Sequence, residues 1–232
     1  MIERHLARFG VACVAACLGL FAWLHLTPPS ALLDWRTRTL SQYALLDNGW
    51  AFDTATLLLA LGSAAVILAL VRAGVLRARS GAAVALWLWV AGLIGVVVFE
   101  KHNWAVGPSI SGDVHRAASL LAFLSLPVAA LLAGAFGLRR PAARTAATAV
   151  LLAGAVSLLC FTPILWALLA EPWTGVRWWR AIPLGTVERL LGLAEVVTVL
   201  LLARWATLTP VRGSASASAA ASTERPEPAL PA

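Results

Sequence analysis

Six long apolar stretches alternate along the chain with polar or Pro- and Gly-rich connections. Each stretch has the roughly 17–25 residues that an α-helix needs to cross about 30 Å of hydrocarbon. The predicted spans lie near residues 7–26, 51–71, 81–99, 114–137, 145–169 and 187–206. The pattern therefore predicts an all-α, polytopic membrane helix bundle of six transmembrane helices, forming one transmembrane domain over residues 1–206.

The end of the sequence has a different character from the rest. From residue 207 the chain becomes rich in Ser, Ala and Pro, and Gly213–Ser218 alternates Ser with small residues. A segment of this composition has too few apolar side chains to bury a core. Residues 207–232 are therefore expected to form a disordered cytoplasmic tail.

Composition and charge agree with a membrane protein and indicate its orientation. The chain is 60% hydrophobic and only 12% charged, whereas soluble proteins contain about 25% charged residues. Eleven of its eighteen Lys and Arg residues fall near the termini and in the two short connections. Because cytoplasmic segments carry the excess of basic residues, we expect both termini to be cytoplasmic and the protein to be a multi-pass protein of the cell (inner or plasma) membrane. The net charge of +7 then reflects topology, and no nucleic-acid partner is expected.

Glu195 is the most informative single residue in the sequence. It lies inside the apolar run Leu190–Leu202, and Glu188 and Arg189 come just before that run. A carboxylate at this depth is costly in hydrocarbon and usually faces the interior of a bundle or a polar cavity. Residues seven apart share one face of a helix, so Glu188 and Glu195 are expected to point the same way.

Polar residues also follow one face of the second and fourth predicted helices. Asp53 and Thr56 begin such a stripe, while His115 and Ser119 stand one turn apart beside Asp113. All three stripes start at the same predicted membrane face, so we expect one outward-facing pocket between these helices. The candidate pocket residues are Ser41, Asp53, Asp113, His115, Arg116, Ser119, Glu188, Arg189 and Glu195.

Several chemistries could use this cluster. His102 and His115 are weak candidates for metal ligands, but the sequence contains no HExxH, HxxxH or paired-Cys spacing. No metal and no cofactor is therefore predicted. Ser41 or Ser119 could act as the nucleophile of a hydrolase, although no catalytic spacing surrounds either residue. A purely structural alternative is that Arg116 and Arg189 form ion pairs with nearby carboxylates and so hold the bundle together.

One connection combines aromatic and basic residues. Residues 172–180 contain three Trp and two Arg. Such a segment is typical of an aromatic belt with Arg side chains at the level of the lipid head groups. The alternative is a lid that binds lipid phosphate, because Arg forms bidentate hydrogen bonds with phosphate oxygens.

Short motifs resemble a known family. Leu40-Ser41-Gln42-Tyr43, Gly49-Trp50-Ala51-Phe52-Asp53, a single His at the start of the fourth helix and Glu188-Arg189-Leu190-Leu191-Gly192 resemble the bacterial and archaeal membrane family called domain of unknown function 998 (DUF998). The resemblance implies about six helices and assigns no activity. Gln42 stands where an acidic or other polar residue is expected, so a carboxylate needed there would have to come from elsewhere in the chain.

Two functions remain open at this point. The first is binding or transport of a small polar ligand or a lipid head group in the outward-facing pocket, with the lipid bilayer as surroundings and with unknown protein partners. The second is a membrane-embedded lipid hydrolase, possibly metal-dependent. In size and polar cluster the chain is similar to alkaline ceramidases, but it lacks their HxxxH helix.

Overall fold

The computed structural model describes residues 1–103 and 105–209 of the chain. The protein is 80% helical, without strands in these residues. Its α-helices are α1 (Ile2–Leu26), α2 (Trp50–Arg72), α3 (Gly81–Val98), α4 (Ile110–Gly137), α5 (Arg144–Thr174), α6 (Trp178–Ala181) and α7 (Leu184–Leu208). All except the single-turn α6 are long and apolar enough to cross a bilayer. The predicted all-α bundle with six membrane-spanning helices is confirmed.

The helices extend beyond most of the predicted spans. Helix α4 starts four residues early, at Ile110, because the Ser109 side chain accepts a hydrogen bond from the Gly112 N–H and caps the helix. Helix α5 continues to Thr174 and ends at Gly175, whose φ of 66° is left-handed. Hydrophobic length locates only the part of a helix that lies in hydrocarbon, whereas caps and glycines locate its ends. Helix α7 likewise runs to Leu208, and residues 210–232 of the predicted tail lie outside the described residues.

Six successive crossings give the bundle two different ends. The short connections 73–80 and 138–143 lie at one end, which we call the hairpin end, together with the start of α1 and the end of α7. The long connections 27–49, 99–109 and 175–183 lie at the other end, the loop end. Which end faces the cytoplasm stays a prediction from the basic residues.

Small residues allow the helices to approach closely. A Cβ atom added at Gly62 of α2 would lie 2.8 Å from the Cys13 Cβ and 2.9 Å from the Gly10 carbonyl oxygen of α1. Close backbone approach of this kind is the usual way in which membrane helices pack, because lipid provides no hydrophobic force between them. Helix α7 contacts α1, α2, α4 and α5, and its Glu195 and Thr198 are buried.

Candidate functional site

Two adjoining cavities lie in the loop-end half of the bundle. The first, which we call the end chamber, has a volume of about 270 Å³ and lies among the two long connections 27–49 and 99–109 and the ends of α4, α5 and α7. The second, the deep chamber, has a volume of about 300 Å³ and is formed by α1, α2, α3, α4 and α7. Ser41, Ser119, Phe123 and Glu188 line both, so the two chambers share a wall.

Arg189 fixes the long connection between α1 and α2 on the start of α7. Its guanidinium donates hydrogen bonds to the backbone oxygens of Trp35, at 2.9 Å, and Arg38, at 2.8 Å. It also donates to the Tyr43 hydroxyl, at 2.8 Å, and to the His25 ring, at 2.9 Å. These bonds hold residues 35–43 above α7, where they form part of the chamber walls.

A glycine allows the same close approach. A Cβ atom at Gly185 would lie 2.3 Å from the Arg38 carbonyl oxygen and 2.5 Å from that of Trp35. Any larger residue would push the connection away from α7. The structural alternative, ion pairs of Arg116 and Arg189 with nearby carboxylates, is not formed: among the described residues the salt bridges are Met1–Glu3 and Arg177–Glu171, while His102 and Asp113 are hydrogen-bonded. The structural alternative is wrong about the acceptors: Arg189 donates its hydrogen bonds to carbonyl and hydroxyl oxygens and to the His25 ring instead of to carboxylates.

Lys101 is the main cation of the end chamber. Its ammonium group donates hydrogen bonds to the hydroxyl of Ser41, at 2.8 Å, and to the hydroxyl of Thr39. Burial lowers the pKa of Lys101; the nearby Glu188 carboxylate opposes this shift, and Arg116 and Arg38 reinforce it. The lysine is therefore held by neutral oxygens in surroundings that disfavour its charge.

Glu188 is the carboxylate of the end chamber. Its Oε2 accepts a hydrogen bond of 2.8 Å from the Leu40 backbone N–H, which ties α7 to the connection that also carries Ser41. The charged side chains that line this chamber are Arg38, Lys101, Arg116 and Glu188. With three cations and one carboxylate, the lining carries an excess of positive charge.

Two histidines occupy different positions in the end chamber. His102 accepts a hydrogen bond at Nδ1 from the Ser109 N–H and is bonded through Nε2 to Asp113, at 3.3 Å. His115 is bonded through Nδ1 to the Phe99 carbonyl oxygen at 2.9 Å, so that ring nitrogen carries the proton and Nε2 is an acceptor. The buried Nε2 of His115 has no hydrogen-bond partner within the described residues. No three His, Cys, Asp or Glu side chains of those residues are grouped so that they could hold a metal ion.

The deep chamber is apolar except for a few groups, of which Glu195 is the most unusual. Glu195 is 1% exposed, and neither of its carboxylate oxygens has a hydrogen-bond partner in the part of the chain that the structure describes. Buried carboxyl groups are normally bonded, since leaving them without a partner is costly. An unpartnered carboxyl group beside a cavity points to a ligand.

Most of the predicted pocket residues line these chambers. Helical spacing identified the pocket residues on α4 and α7, and the family motif identified Ser41. The predicted pocket residues that line a chamber are Ser41, His115, Arg116, Ser119, Glu188, Arg189 and Glu195. Asp53 and Asp113 line neither chamber; Asp113 is instead largely exposed and bonded to His102.

Other chamber residues were missed by the sequence reasoning. Lys101, Arg38 and Thr39 lie in long connections, where no helical period relates one residue to another. One signal was available for Lys101, since it is the single lysine of the sequence and comes after Glu100, close to the end of the apolar run of α3.

The Trp- and Arg-rich connection covers part of the end chamber. Trp178 and Trp179 line the chamber, and Arg177 lies 5.6 Å from the ring of Trp179. Arg177 also pairs with Glu171 at 3.4 Å. This placement is compatible with the alternative of a lid, and the exposure of Trp173, at 81%, and Trp179, at 40%, is compatible with the predicted aromatic belt; both interpretations stay predictions.

Comparison with known proteins identifies the family. The family model described as "Protein of unknown function (DUF998)" matches residues 11–205, which include nearly all of the membrane-spanning bundle. No curated protein and no solved structure matches the chain. The match extends over both chambers and all seven of the predicted pocket residues that line them. This chain is therefore a multi-pass membrane protein that belongs to the DUF998 family.

Proposed function

We propose that this protein binds an amphiphile with a phosphate or similar anionic head group. The head group occupies the end chamber, and the apolar part of the ligand extends into the deep chamber. The observation that carries the proposal is Lys101, a cation withdrawn from bulk water whose hydrogen bonds go to the hydroxyls of Ser41 and Thr39 rather than to a carboxylate.

The charge of the end chamber supports an anionic head group. Three cationic side chains and one carboxylate line it, and an anion would offset the excess. An anion would also relieve the cost of burying the Lys101 charge, which is the cause of its lowered pKa. His115 Nε2 and Gln42 Oε1 are buried without partners in the described residues, and each could accept a hydrogen bond from a hydroxyl of the head group.

The deep chamber supports an apolar tail. Phe21, Phe52, Trp89 and Phe123 contribute to its walls, and Ser41, Ser119 and Glu188 adjoin the end chamber. Leu18 of α1 and Leu193 of α7 line it and are 39% and 55% exposed on the side of the bundle. A lipid-like ligand could therefore enter between α1 and α7 directly from the bilayer.

Binding of hexyl phosphate to the purified full chain tests this proposal. Calorimetric titration in nanodiscs would compare hexyl phosphate with 1-hexanol, which has the same tail and no charge. We expect hexyl phosphate to bind more tightly, and Lys101→Gln to weaken its binding by about tenfold or more, since a charged hydrogen-bonding partner is lost. The affinity for 1-hexanol should stay the same.

Arg139→Gln is the matched control for this experiment. Arg139 is exposed and lies at the hairpin end, far along the chain from either chamber lining. The same loss of one positive charge there should leave the affinity for hexyl phosphate unchanged. Equal binding of hexyl phosphate and 1-hexanol, or equal effects of the two substitutions, would refute the proposal.

One contact favours a second candidate function, a lipid hydrolase. The Ser41 Oγ and the Lys101 Nζ are 2.8 Å apart, and a lysine with a lowered pKa can act as the base for a serine nucleophile. In such a reaction the neutral Lys101 amine takes the Ser41 proton as Oγ bonds to the carbonyl carbon of an ester. The ammonium then returns the proton to the departing alcohol, and water releases the acyl group from Ser41.

The two candidates require opposite protonation states of Lys101. Anion binding needs the ammonium and should weaken as the pH rises, whereas hydrolysis needs the amine and should accelerate. A fluorophosphonate probe followed by mass spectrometry would detect a nucleophilic Ser41, with Ser41→Ala as the control. Absence of labelling at Ser41 at alkaline pH would eliminate the hydrolase and leave the binding function.

A further inference from the structure

Glu195 lies too far from the end chamber to belong to the anion site. Glu188 and Glu195 are seven residues apart on α7, which corresponds to about 10 Å along the helix axis. The positions one turn from Glu195 are Leu191, Gly192, Thr198 and Val199, so its own helix offers no basic partner. Thr198 uses its hydroxyl to bond the Ala194 carbonyl oxygen at 2.8 Å.

The neighbouring helices offer no cation beside Glu195 either. The titratable or charged side chains that line the deep chamber, within the described residues, are His25, Glu188, Arg189 and Glu195. Arg189 is committed to residues 25, 35, 38 and 43 through the hydrogen bonds described above and also donates to the Gly185 carbonyl oxygen, at 2.9 Å. Helices α2, α3 and α4 contribute only uncharged side chains to this chamber. Among the described residues, therefore, the chamber lining offers the Glu195 carboxyl group no uncommitted cation.

We propose that Glu195 is a second binding subsite, which takes the ammonium group of an apolar amine or quaternary ammonium compound. This inference does not depend on the anion site, because it concerns a ligand of opposite charge and does not need Lys101. A carboxylate is the natural partner of an ammonium ion in apolar surroundings. The rings of Phe21, Phe52, Trp89 and Phe123 line the same chamber, and aromatic faces attract organic cations once these leave water.

The chamber suits an organic cation better than a metal ion. Hard cations such as Ca²⁺ and Mg²⁺ require several oxygen ligands. Among the described residues the carboxylates that line this chamber are Glu188 and Glu195, and their positions are about 10 Å apart along the helix axis, so they do not form one cluster of oxygen ligands. An organic cation requires only the carboxylate and the apolar walls. Rotation of the Glu195 side chain is the movement that brings its carboxylate to the chamber surface.

Binding at this subsite exchanges one cation for another. In the empty chamber Glu195 carries a proton, because an uncompensated charge is costly there. When a permanently charged ammonium binds, the carboxyl group releases that proton to solvent and the carboxylate pairs with the ligand. Charge is conserved, and one proton leaves for each cation bound.

Benzyltrimethylammonium and its uncharged carbon analogue, neopentylbenzene, test the proposal. Both have the same shape, so they differ in charge alone. Titration calorimetry of the full chain in nanodiscs, repeated in buffers of different ionisation enthalpy, gives both the affinity and the number of protons released. We expect the cation to bind more tightly than neopentylbenzene, with release of about one proton, and its affinity to increase as the pH rises.

Substitutions localise the effect. Glu195→Gln should lower the affinity for benzyltrimethylammonium by about tenfold or more and abolish proton release, while the affinity for neopentylbenzene stays the same. Asp53→Asn is the matched control, since Asp53 also lies in a membrane-spanning helix but lines neither chamber. It should change none of these quantities.

Each outcome separates this subsite from the anion site. Equal binding of the cation and neopentylbenzene to the unaltered protein would overturn the proposal, even if Glu195→Gln failed to fold. Cation binding without proton release would overturn the proposed exchange of the Glu195 proton for the bound cation. Cation binding that is lost in Lys101→Gln and kept in Glu195→Gln would assign it to the wrong chamber and refute the subsite.

Discussion

Close helix packing and open chambers can be compared between the two halves of this bundle. At the hairpin end, small residues bring helices into direct contact: a Cβ atom at Gly134 would lie 2.6 Å from the Leu151 Cβ, and one at Gly137 would lie 2.4 Å from the Trp205 ring. At the loop end, the helices and connections leave two chambers open. Both chambers therefore belong to the loop-end half.

Polar groups show the same contrast. In the middle of the packed helices, the buried Trp89 Nε1–H donates a hydrogen bond to the Ser63 Oγ at 3.0 Å. The buried side-chain atoms without partners, among the described residues, belong to Gln42, Asn48, His115 and Glu195, all in the loop-end half. Stability alone would not favour such groups. Three of these four residues, Gln42, His115 and Glu195, line a chamber, and the proposed ligand sites therefore lie in this half.

The largest expected effect breaks the packed half. Gly62→Leu places a large side chain where even a Cβ would meet Cys13 and Gly10 at less than 3.0 Å. Overpacking against backbone cannot be relieved by a side-chain rotation, so we expect a loss of about 3 kcal/mol or more in stability. Thermal unfolding of the purified protein measures it.

Gly19→Leu is the control for this substitution. A Cβ at Gly19 meets no atom within 4 Å, so the same chemical change there should leave the unfolding temperature nearly unaltered. If both variants were equally stable, close packing of α1 on α2 would not be what holds this half together.

A smaller effect is expected where the loop-end half is held in place. Arg189→Gln removes charged hydrogen bonds to the backbone oxygens of Trp35 and Arg38 and should cost about 2–3 kcal/mol. The connection 27–49 should also become more accessible to protease. Arg180→Gln, an exposed arginine at the same end, is the control. Unchanged stability of Arg189→Gln would show that the connection is held by other contacts.

The smallest effect on ligand affinity is expected at the exposed edge of the end chamber. Arg116 is exposed and lines the end chamber, so its charge acts partly through water. Arg116→Gln should weaken hexyl phosphate binding by about threefold, because exposed charge pairs contribute less than 1 kcal/mol. Stability should not change. A loss of affinity as large as that expected for Lys101→Gln would mean that Arg116, and not Lys101, is the principal contact of the head group.

Helical regularity explains what the sequence could reveal. Apolar runs gave the six spanning helices, and the spacing of Glu188 and Glu195 put both on the face of α7 that lines the deep chamber. The polar stripe on α2 led to a wrong placement of Asp53, because this residue lines neither chamber. Whether one face of a helix borders a cavity depends on the neighbouring helices, and the sequence of a single helix does not show which helices these are.

The connections explain what the sequence could not reveal. Lys101 meets Ser41 across 60 positions of chain, and no local pattern relates two such residues. Arg189 was expected to bind a carboxylate but bonds carbonyl oxygens of residues 35 and 38. Every residue has a backbone carbonyl, so composition gives no indication of which ones an arginine will reach.

The protonation of Lys101 tests the central claim most directly. Because it is the single lysine of the chain, protein labelled with ¹³C at the lysine Cε gives one NMR resonance that reports this group alone. Burial lowers the pKa of Lys101, and a bound anion favours the ammonium form, so binding must raise that pKa. By linkage, affinity for hexyl phosphate must fall as the pH rises through the pKa of the empty protein.

A titration with and without saturating hexyl phosphate therefore decides between two results. We expect a pKa of Lys101 below the ordinary lysine range in the empty protein and an upward shift when hexyl phosphate is bound, with no shift caused by 1-hexanol. A Lys101 resonance whose position and titration are the same with and without hexyl phosphate would contradict the assignment of the end chamber as an anion site.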